Sequence, residues 1–435
     1  MGSPGEVPNL AATLPSGFAS REPNRYCPRP MARSVSYPVI KLLGDDVHRG
    51  PWVYSRQVET PSWDAPPDGS LVEVHDRSER FLGHALWNGS SDIQLRWLSR
   101  GRRSDMDRPK DFLAARLRDA DYVRRKVLKL PARTEAYRIS HAEGDDLPGL
   151  VVDRMGPVLV CEHHSLGFWN LRQEVETALK EIYPEHAVIH RVPRSARGPE
   201  GFEPKEGEEA SHPEIDLLEE DIHYLVSPGE GHKTGWFCDQ RDNRVRIGAL
   251  CQGRRVLDLC CNMGGFGLQA ARQGARSVLG IDLDEVVLER AKRTAQHNKL
   301  DVSFEHADAF DVMRSFAGGP EDRRPDVLVL DPHKIIRGRA NLDEGLKKYS
   351  DLNTLALEAV RPGGLVATFS CSGALELGAF LGMTFAAARR AERDIRLLAT
   401  LEASPDHPQR PDWPRSRYLK GALLGTDRIR GARRS

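Results

Sequence analysis

The sequence predicts an α/β protein with a doubly wound, mostly parallel sheet in its C-terminal half, preceded by a small all-β barrel and a second, smaller α/β unit. Three observations predict it. Apolar runs at 255–260, 277–281, 326–330 and 364–369 alternate with helical patterns at 265–273 and 285–297, as expected of buried parallel strands covered by helices. Short stretches of apolar–polar alternation at 37–43, 70–75, 80–87 and 92–98, separated by Gly- and Pro-containing turns, suggest the strands of a small barrel. A glycine cluster follows the strand at 255–260 directly, where open α/β sheets bind their ligands.

The elements then follow in order. Residues 1–34 are rich in Pro, Gly, Ser and Ala without an apolar period, and predict a disordered tail. The barrel occupies 35–100. Between residues 100 and 133 the chain is helical in pattern and basic, with twelve Lys/Arg against five Asp/Glu. This stretch opens a middle α/β domain over 101–195, with strands near 135–140, 149–153 and 157–162 and a helix over 168–182. Residues 196–221 predict an acidic linker: from Glu200 to Asp221 there are ten acidic residues and one Lys. The sheet domain spans 222–425, and a basic tail covers 426–435.

Composition bounds the function. With 63 Lys+Arg against 63 Asp+Glu and 39% hydrophobic residues, the chain reads as globular rather than fibrous or wholly disordered. No uninterrupted apolar run reaches the roughly 18 residues of a membrane-spanning helix, and the N-terminus lacks the basic start and apolar core of a secretory signal. Seven cysteines at irregular spacing argue against a disulfide scaffold or a zinc site and for a reducing cytoplasm; no metal is expected.

The strongest motif is Val256-Leu-Asp-Leu-Cys-Cys-Asn-Met-Gly-Gly-Phe-Gly267, followed by Asp282 at the end of the next strand. Glycines there permit a tight turn and close approach of a ligand to the backbone. A carboxylate at Asp282 can accept hydrogen bonds from both ribose hydroxyls of a nucleoside. Gly264, Gly265 and Gly267 do not reproduce the spacing of the dinucleotide fingerprint. Asp258, inside the first strand, would repel a pyrophosphate and suits a ligand carrying an ammonium and a sulfonium, which favours S-adenosyl-L-methionine. Asp308, after the third strand, can accept from the adenine amino group. In Gly235-Trp-Phe-Cys-Asp-Gln-Arg-Asp-Asn-Arg244, Gln240 and Arg241 are the expected cofactor contacts.

Two motifs end later strands: Asp331-Pro332-His333-Lys334 and Ser370-Cys371-Ser372. Cys371 is the candidate nucleophile. Carbon 5 of a pyrimidine takes a methyl group only once a thiolate has added at carbon 6. Asp331 can share a proton with the pyrimidine N3 as charge builds on the ring.

At these residues the chain resembles the bacterial large-subunit ribosomal RNA cytosine-C5 methyltransferases that carry an N-terminal PUA domain. The resemblance covers about 36–425. It rests on His48-Arg-Gly-Pro-Trp-Val-Tyr-Ser-Arg56 and Phe81-Leu-Gly83 in the barrel, the segment 235–244, the stretch from Asp258 to Gly267, Asp331-Pro332, Tyr349 with Asn353, Pro362-Gly-Gly364, Ser370-Cys-Ser372, Asp406-His-Pro408 and Tyr418-Leu-Lys420. It implies a class I methyltransferase fold (Rossmann-like, doubly wound) with a PUA-like RNA-binding barrel at 35–100, S-adenosylmethionine as donor, RNA as acceptor and Cys371 as the catalytic cysteine. The chain departs from the family's pattern at His333, where a second proline is usual, and at Asn262 and Met263, where an aromatic and a hydroxyl are usual. Trp52, Tyr54 and Arg56, with the basic stretches at 100–133 and 415–434, are the expected RNA-facing surface. The reading is an RNA methyltransferase acting on cytosine carbon 5 of ribosomal RNA, with no membrane partner; a homodimer is left open. Its rivals are transfer to another RNA atom such as guanine N7, which needs no Cys371, an RNA-binding protein with an inactive methyltransferase domain, and a nicotinamide oxidoreductase.

Overall fold

The computed structural model describes residues 36–44, 50–59, 65–231, 234–336 and 338–428. The expected disordered tail (1–34) and residues 429–435 of the basic tail lie outside them.

Strands β1 (Val39–Lys41), β2 (Trp52–Tyr54), β3 (Leu71–His75), β4 (Phe81–Trp87) and β5 (Ile93–Arg100) form one sheet in the order β1-β3-β4-β5-β2. A bridge between Leu42 and Val58, with Leu43 N–H on the Gln57 carbonyl and Glu59 N–H on the Lys41 carbonyl, ties the end of β1 to the chain after β2 and curls the sheet closed. Val53, Val72, Val74, Ala85 and Leu95 fill it without exposure.

The middle unit begins with helix α1 (Pro109–Tyr122), prolonged by one π-helical turn, Val123–Val127. Strands β6 (Ala136–His141), β7 (Leu150–Met155), β8 (Val158–His163) and β9 (Ala187–Arg191) form a four-stranded sheet in chain order, with helices α2 (Leu166–Asn170) and α3 (Arg172–Ile182) inserted before β9. Val175, Ala178 and Leu179 lie on one face of α3 and are fully buried with Leu113 and Leu117 of α1.

The expected linker carries regular elements at both ends. Helix α4 (Arg194–Glu200) precedes a hairpin of β10 (Ile215–Glu219) and β11 (Ile222–Val226). The expected boundary at 221/222 falls in the hairpin turn, where Glu220 and Asp221 both adopt left-handed φ (49° and 65°). The physical reason is charge pairing at a distance: Glu200 meets Arg96 (2.6 Å), Glu214 meets Arg293 (2.6 Å) and Glu219 meets Arg244 (2.5 Å). An acidic run whose partners lie elsewhere in the chain reads as solvated when only its composition is counted.

The C-terminal domain comprises α5 (Arg241–Gly248), β12 (Arg255–Leu259), α6 (Gly265–Arg272), β13 (Ser277–Asp282), α7 (Glu285–His297), β14 (Ser303–His306), α8 (Ala309–Gly318), β15 (Val327–Leu330), α9 (Leu342–Ala359), β16 (Leu365–Ser370), α10 (Leu377–Arg390), β17 (Arg393–Glu402) and β18 (Lys420–Arg428). The sheet order is β14-β13-β12-β15-β16-β18-β17; β18 pairs antiparallel with both β16 and β17, and the other pairs are parallel. The strand order reverses between β12 and β15, so a crevice opens at their carboxyl ends. β18 continues to Arg428, so residues 426–428 belong to the sheet rather than to a tail.

Candidate active site

The loop after β12 is shaped by one buried acid. Asp258 lies in the middle of the sheet, and its Oδ2 accepts the Gly267 N–H (2.9 Å), which satisfies a donor in the first turn of α6. Its Oδ1 is buried without a partner among the described residues. Burial, reinforced by Asp331 and Asp282 and opposed by the Gly267 N–H, pushes the Asp258 carboxyl up to about 7. Packing also requires the glycines to lack a side chain. A Cβ on Gly264, at φ +72°, would lie 2.5 Å from the Phe304 ring, and one on Gly265 would lie 2.8 Å from Arg244 Cδ. Gly267 likewise stays small against Val278 and Asp258.

Asp282, at the end of β13, accepts the Asn262 N–H (2.8 Å) on one oxygen and the Asp284 N–H (3.1 Å) on the other. Asp308 is the N-cap of α8 and accepts the Phe310 N–H (2.7 Å). Both acids thus carry structural bonds. They also converge: burial, then Asp282, Asp331, Asp258 and Asp308, push the Cys260 thiol in this loop up to about 12. Four carboxylates around one turn make a strongly electronegative crevice.

Asp331 and Cys371 follow β15 and β16, which are adjacent parallel strands with Leu330 opposite Thr368. Gln240 Nε2 donates to Asp331 Oδ2 (2.9 Å), and Gln240 is itself held by Asn243 Nδ2 (2.7 Å). Cys371 is half-buried and packs on the cluster that contains Phe369, Leu401 and Leu419. Its flanking serines are fixed from α9: Ser370 Oγ donates to Tyr349 Oη (2.9 Å), which also lies 3.2 Å from Ser372 Oγ. Ile336 N–H donates to Ser372 Oγ (3.2 Å), joining the loop after β15 to the loop after β16.

Two expectations are corrected. Arg241, expected on the cofactor, is fully buried in an ion pair with Asp406 (2.9 Å). Burial alone would raise the Asp406 carboxyl, but His407 and Arg241 hold it well below the usual carboxylate range. Trp52, expected as an exposed RNA-facing ring, is half-buried: its Nε1 donates to Glu143 Oε1 (2.9 Å) and its ring meets Trp413 edge-on at 5.0 Å. It lines a cleft of about 760 Å³ with Arg96, His141, Trp413, Arg415 and Tyr418. Sequence reading missed this seam, and also the Tyr418–Asp239 hydrogen bond (2.7 Å), because the partners lie 91 residues or more apart.

A PUA-like domain model matches residues 47–100 and a methyltransferase domain model matches 256–329. The ribosomal RNA large subunit methyltransferase I of Aeromonas salmonicida (strain A449) is 34% identical over 385 residues, 87% of this chain and 96% of that protein. The chain belongs to the ribosomal RNA large subunit methyltransferase I family. The Shewanella amazonensis member is 35% identical over 86% of this chain and 95% of its own length. Among solved structures, an S-adenosylmethionine-dependent methyltransferase assignment from Streptococcus mutans superposes with a TM-score of 0.73 at 20% identity, over 89% of this chain and all of that one. A second, complexed with S-adenosylhomocysteine, gives 0.72 at 18%, over 90% and 100%. The chain is an S-adenosylmethionine-dependent methyltransferase by family and by fold, and the nicotinamide alternative falls. No helix among the described residues is long and apolar enough to cross a membrane.

Proposed function

We propose that this methyltransferase modifies carbon 5 of a cytosine in ribosomal RNA through a covalent bond to Cys371. The observation that supports this most is the pairing of an electronegative crevice with a half-buried thiol one strand away. The residues present fit the donor: the unpaired, buried Asp258 Oδ1 is suited to its ammonium, and Asp282 and Asp308 border the same loop as acceptors for a ribose and an adenine amino group. When bound, S-adenosylmethionine supplies an electrophilic methyl group and leaves as S-adenosylhomocysteine.

The chain's own residues do the rest. The Cys371 thiolate adds to carbon 6, forming a C–S bond and moving the ring's double-bond pair toward carbon 5. Asp331, oriented by Gln240, holds a proton at N3 while charge builds there. After transfer a base removes the carbon-5 proton, the pair re-forms the ring double bond and Cys371 departs as thiolate. A thiol nucleophile must stay reduced, which fits a cytoplasmic setting. The barrel and the cleft lined by Trp52, Trp413, Arg415 and Tyr418 are where the RNA strand runs, with rings for stacking and the exposed Arg415 for phosphate. The target base must be single-stranded or turned out of its helix to reach the thiol.

Unmodified ribosomal RNA incubated with the enzyme and methyl-labelled donor, then digested to nucleosides for mass spectrometry, should yield labelled 5-methylcytidine. Label in 7-methylguanosine, or none at all, would refute the proposal.

A further inference from the structure

Lys420 is the first residue of β18 and stands opposite Ser370, the last residue of β16, in the antiparallel register. It is 3% exposed. Two of its three ammonium protons go to carbonyls, those of Ser372 (2.6 Å) and Tyr418 (2.7 Å). No carboxylate lies within ion-pair distance of it among the described residues. Burying an ammonium against neutral acceptors alone is unfavourable, and buried charges are normally paired. Cys371 is the residue between Ser370, which faces Lys420 in the register, and Ser372, whose carbonyl takes its proton; its sulfur acts electrostatically on this amine and on Tyr349.

We propose that Lys420 is a positioning residue for Cys371: its ammonium is the counter-charge that keeps the sulfur as a thiolate, and its two carbonyl bonds fix the loop that carries the sulfur. The inference rests on the reading of Cys371 as nucleophile. Starting from thiol and ammonium, one proton leaves the sulfur for solvent, and Lys420 keeps its three protons and contributes charge only. Burial draws the Lys420 amine down to about 8, with Cys371 acting to raise it and Lys334 to lower it. The other titratable groups acting on the pair are Lys334 from the loop after β15, on the amine, and Tyr349 from α9, on the thiol.

The test is the pH dependence of Cys371 alkylation by iodoacetamide in the full-length protein, with the site read by peptide mass spectrometry. In the wild type the midpoint should lie below the roughly 8.5 of an ordinary thiol. In Lys420→Met it should rise by about one pH unit or more, which slows alkylation at pH 7 about tenfold. Lys420→Arg should keep the wild-type midpoint. An equal alkylation rate at pH 10 in all three, with donor binding retained, shows the variants are folded. A wild-type midpoint at or above 8.5, or coincident profiles for wild type and Lys420→Met, would overturn the inference; the first of these needs no variant. The alkylation profile is independent of methyl transfer, so an RNA adduct missing at every pH would defeat the nucleophile reading while leaving this charge effect measurable.

Discussion

Asp258 places a carboxylate in the centre of a sheet with one oxygen bonded and the other bare. Its carboxyl is raised to about 7 from an ordinary value near 3.8, so the folded chain holds a proton that the unfolded chain releases. This group's contribution to stability is therefore fully present below about pH 4 and fades as the pH rises through 7. A cationic ligand reverses the preference by favouring the ionised form. Donor affinity should increase from pH 6 to pH 8. Asp258→Asn should raise the melting temperature of the ligand-free protein at pH 8, weaken donor binding by about 10- to 100-fold and remove its pH dependence. Calorimetry and thermal melts across that range read both effects; unchanged affinity would show that the bare oxygen does not meet the donor.

At the scale of elements, a buried ion pair joins α5 to the loop after β17, beside the bonds of Asp242 and Asn243 to Ser404 and Glu402. Asp406 accepts from Arg241 of α5 and from the Arg138 N–H of β6, and its carbonyl accepts from Arg124 at the end of α1. One residue of a long connection thus links the sheet domain to the middle unit. Asp406→Asn leaves a buried guanidinium without its counter-charge, so it should destabilise by about 3–5 kcal/mol in denaturant unfolding. A loss under 1 kcal/mol would mean that the seam is held elsewhere. The strands β12, β13, β15 and β16 were legible in the sequence because each is a short apolar run beside a helix. The hairpin β10–β11 was not, since its acidic residues are neutralised by Arg244 and Arg293 from later elements. Strands β17 and β18 carry many charges and turn antiparallel at the sheet edge, and local pattern did not single them out.

At the scale of the whole molecule, barrel, middle unit and methyltransferase domain meet along a cleft whose far wall includes Tyr418, and Tyr418 packs on the cluster that also takes Cys371. The acids of the crevice and the cysteine were readable as motifs at strand ends. Gln240 was readable as a nearby polar group, but its hydrogen bond to Asp331 spans 91 residues. Arg241, next to it in the chain, points the opposite way into Asp406, a distinction that adjacency in sequence does not make. An RNA carrying 5-fluorocytidine at the target would trap the carbon–sulfur bond to Cys371. Fluorine replaces the proton that must leave carbon 5, so the covalent complex cannot resolve after methyl transfer. The expected product is a donor-dependent adduct that survives denaturation, maps to Cys371 and is absent in Cys371→Ala. Methylation by Cys371→Ala at the wild-type rate, or an adduct on any other residue, would contradict it.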